Sequence, residues 1–324
     1  MTEPSRIQRV ARPEICIVAP CYNEAVNLPL FHHEVSSALA QCDASARFVF
    51  VDDGSTDDTL ATLQRLHTLD GRVGWVRLAR NFGLQSALSA GLEHADADVV
   101  IVMDADLQDD PTAVPRMVER WRAGADVVYA VRTTRREGPV RRFLNRAFYR
   151  MLEFVADIPI PRHAGSFALY DRRVVERINA LPERNRYLPG LRAWVGFEQQ
   201  GLEVPRRARQ DGEPRQSLLR LFALAFDGLF AFSKAPLRIA SLIGFGVTAL
   251  SALALLVVIY WRFIERSFPE GMGLATIALA LLFLGGVQLL VLGIIGEYLG
   301  RVYDEVKGRP NYVVMEHVAG KASG

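Results

Sequence analysis

Two stretches of this chain carry no charged residue, Ile239 to Trp261 and Gly271 to Gly296. Each exceeds the roughly 20 residues that cross the hydrocarbon core of a bilayer as a helix. Runs this long and this uniformly apolar are rare in soluble folds, so the C-terminal third reads as membrane helices rather than as buried core helices. The link RFIERSFPE is short, so spans over 239–261 and 273–296 form a hairpin with both flanks on one side. Arg215, Arg220, Lys234 and Arg238 precede the first span, and Arg301, Lys307 and Arg309 follow the second. The positive-inside tendency puts both flanks in the cytoplasm, although Arg262 and Arg266 in the link reduce the contrast. The expected location is therefore the inner (cytoplasmic) membrane, multi-pass, with the preceding domain cytoplasmic. The segment LLRLFALAFDGLFAFSKAPLR is apolar with scattered charges and reads as interfacial helices. The first 14 residues are polar and lack the apolar core of a signal peptide.

The first 130 residues alternate between strand and helix patterns. ICIVAP, RFVFVDD, VGWVRLA, DVVIVMD and DVVYAVR read as strands. Between them, VNLPLFHHEVSSALAQ, TDDTLATLQRLHTL, FGLQSALSAGLEHA and TAVPRMVERWRAG read as helices, the second capped by Ser55 or Thr56. GSFALYDRRVVERI adds a further strand and helix. Such alternation predicts an α/β domain with a mainly parallel sheet covered on both faces. Ligands bind such sheets outside the carboxyl ends of the strands. PCYNE, DDGSTDD and DADLQDD follow the first, second and fourth strands there.

The stretch VVIVMDADLQDDP runs from a fully apolar strand straight into clustered carboxylates. Asp104, Asp106 and the Gln108 amide are hard oxygen donors suited to Mg²⁺ or Mn²⁺ with open positions for phosphate. Strand-like alternation would point all three the same way. An Asp-x-Asp alone is more often a cap or a solvated turn; two further acidic turns on the same sheet edge strengthen the metal reading. Asp109 and Asp110, before Pro111, suit the N-terminus of the next helix. A dinucleotide fold would need G-x-G-x-x-G after the first strand, where PCYNEAVN has no glycine, and no Walker A loop is present. The net charge of +2 says little about partners, although basic residues crowd between Arg132 and Arg150 and between Arg206 and Arg220; no nucleic-acid partner is expected. Three cysteines, Cys16, Cys21 and Cys42, without regular spacing, fit a reducing compartment rather than a disulfide framework.

APCYNE, VDDGSTDDT, NFGLQSALSAGL and DADLQDDP together resemble the family 2 glycosyltransferases of GT-A fold. GSFALYDRRVV, RQDGEPR, KAPLR and GIIGEYLGRVYDEVKGRPNYVV extend the resemblance to polyprenyl-phosphate glycosyltransferases, from about Ile15 to Val314. That subgroup includes dolichol-phosphate mannose synthases and bacterial enzymes that charge undecaprenyl phosphate with glucose or aminoarabinose. The resemblance implies a tail over 1–14, a Rossmann-like GT-A domain over 15–215, interfacial helices over 216–238, the hairpin over 239–300 and a cytoplasmic tail over 301–324.

It also implies roles. Pro20, Tyr22, Glu24, Val51 and Asp53 would line the nucleoside pocket, and Asp104 would lie near the ribose and diphosphate, with Ala105 and Asp106 in the same site. Asp106 and Gln108 would hold the metal, Mg²⁺ or Mn²⁺. Arg132 would face the sugar diphosphate, and Arg142 and Ser166 the acceptor phosphate. Arg209 and Arg215 match the basic pair of the pattern Arg-x-x-Gly-x-Ser-Lys, although Pro214 replaces its Ser and Arg215 its Lys. Relatives also carry Asp where Arg162 or Ser166 stands here. Asp104, Asp106 and Arg142 are the expected catalytic residues. The implied reaction is inverting transfer of a sugar from a UDP- or GDP-linked donor to a polyprenyl phosphate, with room for a homo-oligomer. The other readings are a membrane glycosyltransferase with a different lipid acceptor and a non-catalytic membrane scaffold. A processive synthase would carry Gln-x-x-Arg-Trp and more spans, and this chain has neither.

Overall fold

The computed structural model describes residues 9–133, 164–184, 186–205, 235–260 and 274–322. The chain divides into two compact units. One comprises Met1–Arg150, Ile158–Arg215 and Pro310–Gly324, and the other Met151–Asp157 and Gln216–Arg309.

In the first unit, apolar runs become strands and amphipathic segments become the helices between them. In order these are β1 (Glu14–Cys21), α1 (Leu28–Leu39), β2 (Ser45–Asp52), α2 (Thr59–Leu69), β3 (Val73–Leu78), α3 (Leu84–Glu93) and β4 (Val99–Val102). A 3₁₀ turn, Pro111–Ala113, leads into α4 (Val114–Arg122), then β5 (Val127–Thr133), β6 (Ala164–Asp171), α5 (Arg172–Asn179), α6 (Leu188–Trp194) and β7 (Gln199–Pro205). The last strand, β8 (Val314–Val318), comes from the far end of the chain.

The eight strands form one sheet in the order β7-β5-β6-β4-β1-β2-β3-β8. β1 pairs in parallel with β2 and β4, β2 with β3, and β5 with β7. β6 is antiparallel to β4 and β5, and β8 is antiparallel to β3. The sheet is thus mainly parallel, as the alternation predicts. Its central strands β1 to β4 are buried on both faces, which is why they read as continuous apolar runs. Ile15, Ile17, Val99 and Ile101 face one core layer with Phe31, Leu63 and Trp121 of α1, α2 and α4. Cys16, Val18, Val100 and Val102 face the other, with Leu88, Val174 and Leu191 of α3, α5 and α6. Gly91 lets α3 approach closely, since a Cβ there would stand 2.2 Å from Val18 Cγ1 and 3.1 Å from Val51 Cγ2.

Two local expectations change. α2 starts at Thr59 rather than beside Ser55 or Thr56, because both of those residues are engaged with Asn23 of the preceding turn. Residues 314–318, expected in a tail, instead form the edge strand β8, with Val76 opposite His317 and Lys321 N–H bonded to Gly71 O at 2.8 Å.

The second unit contains two long helices, α7 (Ala235–Tyr260) and α8 (Leu274–Val306). Large apolar side chains are exposed along both, among them Leu242, Phe245, Leu253, Leu281, Leu289 and Leu292. Within α8, Phe283–Val306 is 24 residues long with a mean hydropathy of 1.6, long and apolar enough to cross a membrane. Among the described residues the apolar part of α7, Ala240–Ser251, is shorter.

Candidate active site

β1 is flanked by β2 on one side and β4 on the other, so the connections leaving β1 and β4 part here. That is the switch point where α/β sheets place a crevice at their carboxyl edge. The acidic stretch begins there. Met103 N–H still bonds Val18 O at 3.0 Å, and then the chain leaves the sheet. It turns instead of continuing as a strand, because Leu107 adopts a left-handed φ of 58°. The turn folds Gln108 back onto Asp106. Gln108 N donates to Asp106 Oδ1 at 3.1 Å, and Gln108 Nε2 donates to Asp106 Oδ2 at 2.7 Å. The expected strand-like alternation of Asp104, Asp106 and Gln108 therefore does not hold. Proximity is kept by a side-chain-to-backbone turn. Ser166, at the start of β6, donates its hydroxyl to both carboxylate oxygens of Asp104, at 3.1 and 3.2 Å. Asp110 caps the 3₁₀ turn by accepting from Thr112 N at 3.1 Å, as its place before Pro111 suggests.

The turns after β1 and β2 are laced together. Asn23, itself at φ 56°, donates its N–H to Ser55 Oγ at 3.0 Å, and its side-chain oxygen accepts from Thr56 N at 2.9 Å. Glu24 N–H donates to Thr59 Oγ1 at 2.9 Å, and Glu24 Oε2 accepts from Asn27 Nδ2 at 2.6 Å. Burial raises the Asp57 carboxyl pKa, but bonds from the Thr59 hydroxyl and N–H and from Ala25 N–H outweigh it and leave it lowered.

Asp52 and Asp53 are both buried. Asp52 Oδ1 accepts from Ser55 N at 2.8 Å, and Oδ2 lies 3.5 Å from Arg77 Nε on the neighbouring strand. Asp53 accepts from Phe82 N at 2.7 Å and Gly83 N at 2.9 Å, tying the turn before α3 to the end of β2. Burial raises the Asp53 pKa, the two backbone bonds oppose this, and the Asp52 charge adds to it, for a net rise. Gly54, at φ 70°, sits where a Cβ would come within 2.4 Å of the Arg80 backbone, so this turn has no room for a side chain.

The crevice thus gathers Pro20, Tyr22, Glu24, Asp53, Asp104, Asp106, Gln108 and Ser166 on adjoining strand ends, with the Tyr22 ring exposed. Val51 is fully buried beneath α3, on the sheet face of Val102 and Ala168, and Ala105 packs in the layer of α1 and α4. Arg132 lies in β5, opposite Val204 of β7. Arg142, Arg209 and Arg215 fall outside the described residues. Of the residues that set the crevice wall, Asn23 and Thr59 are absent from the sequence reading and Ser55 enters it only as a helix cap; the small polar residues of YNE and GSTDDT were their signal.

No cluster of three or more His, Cys, Asp or Glu residues forms a metal cage among the described residues. Two carboxylates and one amide are still a donor set that fits Mg²⁺ or Mn²⁺, because such ions are commonly held by one or two carboxylates together with substrate phosphates.

The sequence pattern of glycosyl transferase family 2 matches residues 16–178. The chain belongs to that family. This family 2 glycosyltransferase is 41% identical over 308 residues to an uncharacterized glycosyltransferase of Synechocystis sp., covering 94% of this chain and 95% of that one. It is 36% identical over 312 residues to the SfII prophage-derived bactoprenol glucosyl transferase of Shigella flexneri, covering 93% and 97%. Among solved structures, glucosyl-3-phosphoglycerate synthase of Mycobacterium tuberculosis overlays with a TM-score of 0.47 at 20% identity, covering 67% of this chain and 76% of that one.

Proposed function

We propose that this glycosyltransferase moves a sugar from a nucleoside diphosphate donor to a polyprenyl phosphate at the cytoplasmic face of the membrane, inverting the anomeric centre. The observation that carries the reading is the turn that holds Asp104, Asp106 and Gln108 at the switch-point crevice. The lipid acceptor is supported by a near-full-length relative named a bactoprenol glucosyl transferase and by the apolar segment Phe283–Val306. In this reading α7 supplies a second span and completes a hairpin.

The nucleoside lies against Pro20, Tyr22 and Glu24, in a wall whose shape Asp53 and the Asn23–Ser55 tie maintain. Asp104, oriented by Ser166, meets the ribose and diphosphate, and Arg132 faces the diphosphate from β5. Asp106 and Gln108 would hold the metal, and a Mg²⁺ or Mn²⁺ ion bound there would supply Lewis-acid neutralisation of the departing diphosphate. An oxygen of the lipid phosphate attacks the anomeric carbon as the bond from that carbon to the donor diphosphate breaks. The phosphate is already anionic, so no general base is needed. It needs orientation and relief from repulsion, which Arg142, with Arg209 and Arg215 on the donor side, is suited to give.

The test is incubation of the purified full chain in lipid nanodiscs with undecaprenyl phosphate and a panel of UDP- and GDP-sugars, with products identified by mass. A glycosyl phosphate lipid from one donor is expected. Transfer to a neutral lipid hydroxyl instead, or no transfer from any donor, defeats the proposal.

A further inference from the structure

Arg192, on α6, is fully buried. Among the described residues no carboxylate pairs with it, and its Nε, Nη1 and Nη2 make no hydrogen bond of normal geometry; the neighbouring polar group is the Tyr170 hydroxyl, whose burial-raised pKa the Arg192 charge and contact partly lower. Other arginines in this unit that lose solvent are paired: Arg9 with Asp126 and Asp171, and Arg72 with Asp70. Arg192 instead stacks its guanidinium over Tyr129, with Cζ 4.3 Å from the ring centroid. The Tyr170 hydroxyl beside it is also buried and without a hydrogen-bond partner of normal geometry. The cation–π contact offsets part of the desolvation cost. The charge itself cannot be shed, because arginine stays protonated inside proteins. An apolar side chain of similar length would fill this place at lower cost, so the charge calls for a functional explanation.

Its position suggests one. Tyr129 of β5 stands opposite Ala168 of β6, which stands opposite Val102 of β4. Two residues before Ala168 is Ser166, and two residues beyond Val102 is Asp104, the hydrogen-bonded pair at the sheet edge. Side chains two residues apart on a strand share a face. Ala168 and Val102 belong to the core layer of α3, α5 and α6, and Tyr129 packs against that layer. Arg192 is therefore on the Asp104–Ser166 face of the sheet, displaced from Asp104 by two strand spacings across the sheet and two residues along it, roughly 12 Å. The displacement is toward β5, away from the turns after β1 and β2. Asp104 repels any anion arriving beside it, and a positive charge buried in low dielectric at this range opposes that repulsion with little screening.

We infer that Arg192 is an electrostatic positioning residue, the buried counter-charge that lets an anionic acceptor phosphate settle beside Asp104 and Ser166 without touching it. The inference rests on the phosphate-acceptor reading above and assigns part of that selectivity to one residue remote from the crevice.

The test compares binding of undecaprenyl phosphate and undecaprenol by the full chain in nanodiscs, for wild type, R192M, R192Q and R192K. A unit charge at about 12 Å in protein changes anion binding by roughly tenfold. Wild type is expected to prefer the phosphate, R192M and R192Q to lose about tenfold of that preference, and R192K to keep most of it. The donor, whose diphosphate also lies beside Asp104, is expected to bind more weakly to R192M and R192Q as well, and the melting temperature of R192M equals or exceeds that of wild type. If wild type prefers the phosphate and R192M keeps the full preference, this inference alone falls. Failure of both charge-free variants to fold also overturns it, since the charge is then structural. If wild type binds phosphate and alcohol equally, the acceptor reading falls and takes the inference with it.

Discussion

The Ser166 hydroxyl bridges both carboxylate oxygens of Asp104 across 62 residues of sequence. It helps fix the rotamer of a carboxylate that sits just past the end of β4. A hydrogen bond to a charged group contributes about 1.5–3 kcal/mol when intact. Ser166→Ala should therefore lower kcat/KM by about tenfold or more. The melting temperature should stay close to wild type, because the site is at the sheet edge and not in the core. Steady-state kinetics beside a thermal melt check this; a large fall in melting temperature would mean that the pair is structural.

Asp53 should make stability depend on pH in a direction opposite to the usual salt-bridged carboxylate. Its folded pKa is raised above the ordinary 3.8, chiefly by burial. Between those two values the folded chain holds the proton more tightly than the unfolded chain, so stability falls as pH rises through that window. Asp53→Asn should flatten this slope. It should also cost about 1–2 kcal/mol, since an amide cannot accept from both Phe82 N–H and Gly83 N–H without turning its own N–H toward one of them. Denaturant unfolding at several pH values, mutant against wild type, reads both effects.

Asp106→Ala should abolish transfer while the fold persists, because Asp106 anchors Gln108 and is one of two carboxylates in the donor set. A chelator should mimic the mutation in wild type, and added Mg²⁺ or Mn²⁺ should restore activity. Full transfer by the variant in excess EDTA would remove Asp106 and the metal from the reaction together.

Gly91→Ala should destabilise despite the gain of about 1 kcal/mol in helix propensity. The new methyl would stand 2.2 Å from Val18 Cγ1, on a rigid β-branched side chain inside the sheet. Overpacking of this kind costs about 1–3 kcal/mol. Val18→Ala should relieve it, so the double mutant should be more stable than the sum of the two single effects. Chemical denaturation of all four proteins measures the coupling.

The sequence was legible where burial imposes a pattern. β1, β2 and β4 are buried on both faces and appear as unbroken apolar runs, and Phe31, Val35 and Leu39 recur at helical spacing. The acidic turn was legible because carboxylates crowd directly after such a run. What the sequence hid depends on contacts remote along the chain or on backbone that composition does not reveal. Nothing about Leu107 announces a left-handed φ. Val51 and Ala105 lie within the motifs, and their side chains are buried in the core. Ser166 meets Asp104 only because β6 runs antiparallel beside β4. β8 is five residues, VMEHV, two of them polar, and its reason for being a strand is the open edge of β3.

That edge makes the final prediction. A natural way to prepare a soluble catalytic domain is to stop the chain before Ile239, which removes the apolar helices. The same cut removes β8, and β3 is then left with unpaired backbone groups along Val73–Leu78. An exposed edge of this kind templates association between chains. The close fit at Gly74 and Gly320 is lost too, where a Cβ on Gly74 would come within 2.4 Å of Gly320 N. The truncated chain should therefore melt at a lower temperature than the full protein and aggregate with time. A synthetic peptide of residues 310–322, added in excess, should pair with β3 and raise the melting temperature as its concentration rises, because a ligand that binds only the folded state stabilises by mass action. A scrambled peptide of the same composition should leave the melt unchanged. If the truncated protein is monomeric and as stable as the full chain without the peptide, then β8 is dispensable to the sheet, and the return of the C-terminus to the catalytic unit has another purpose.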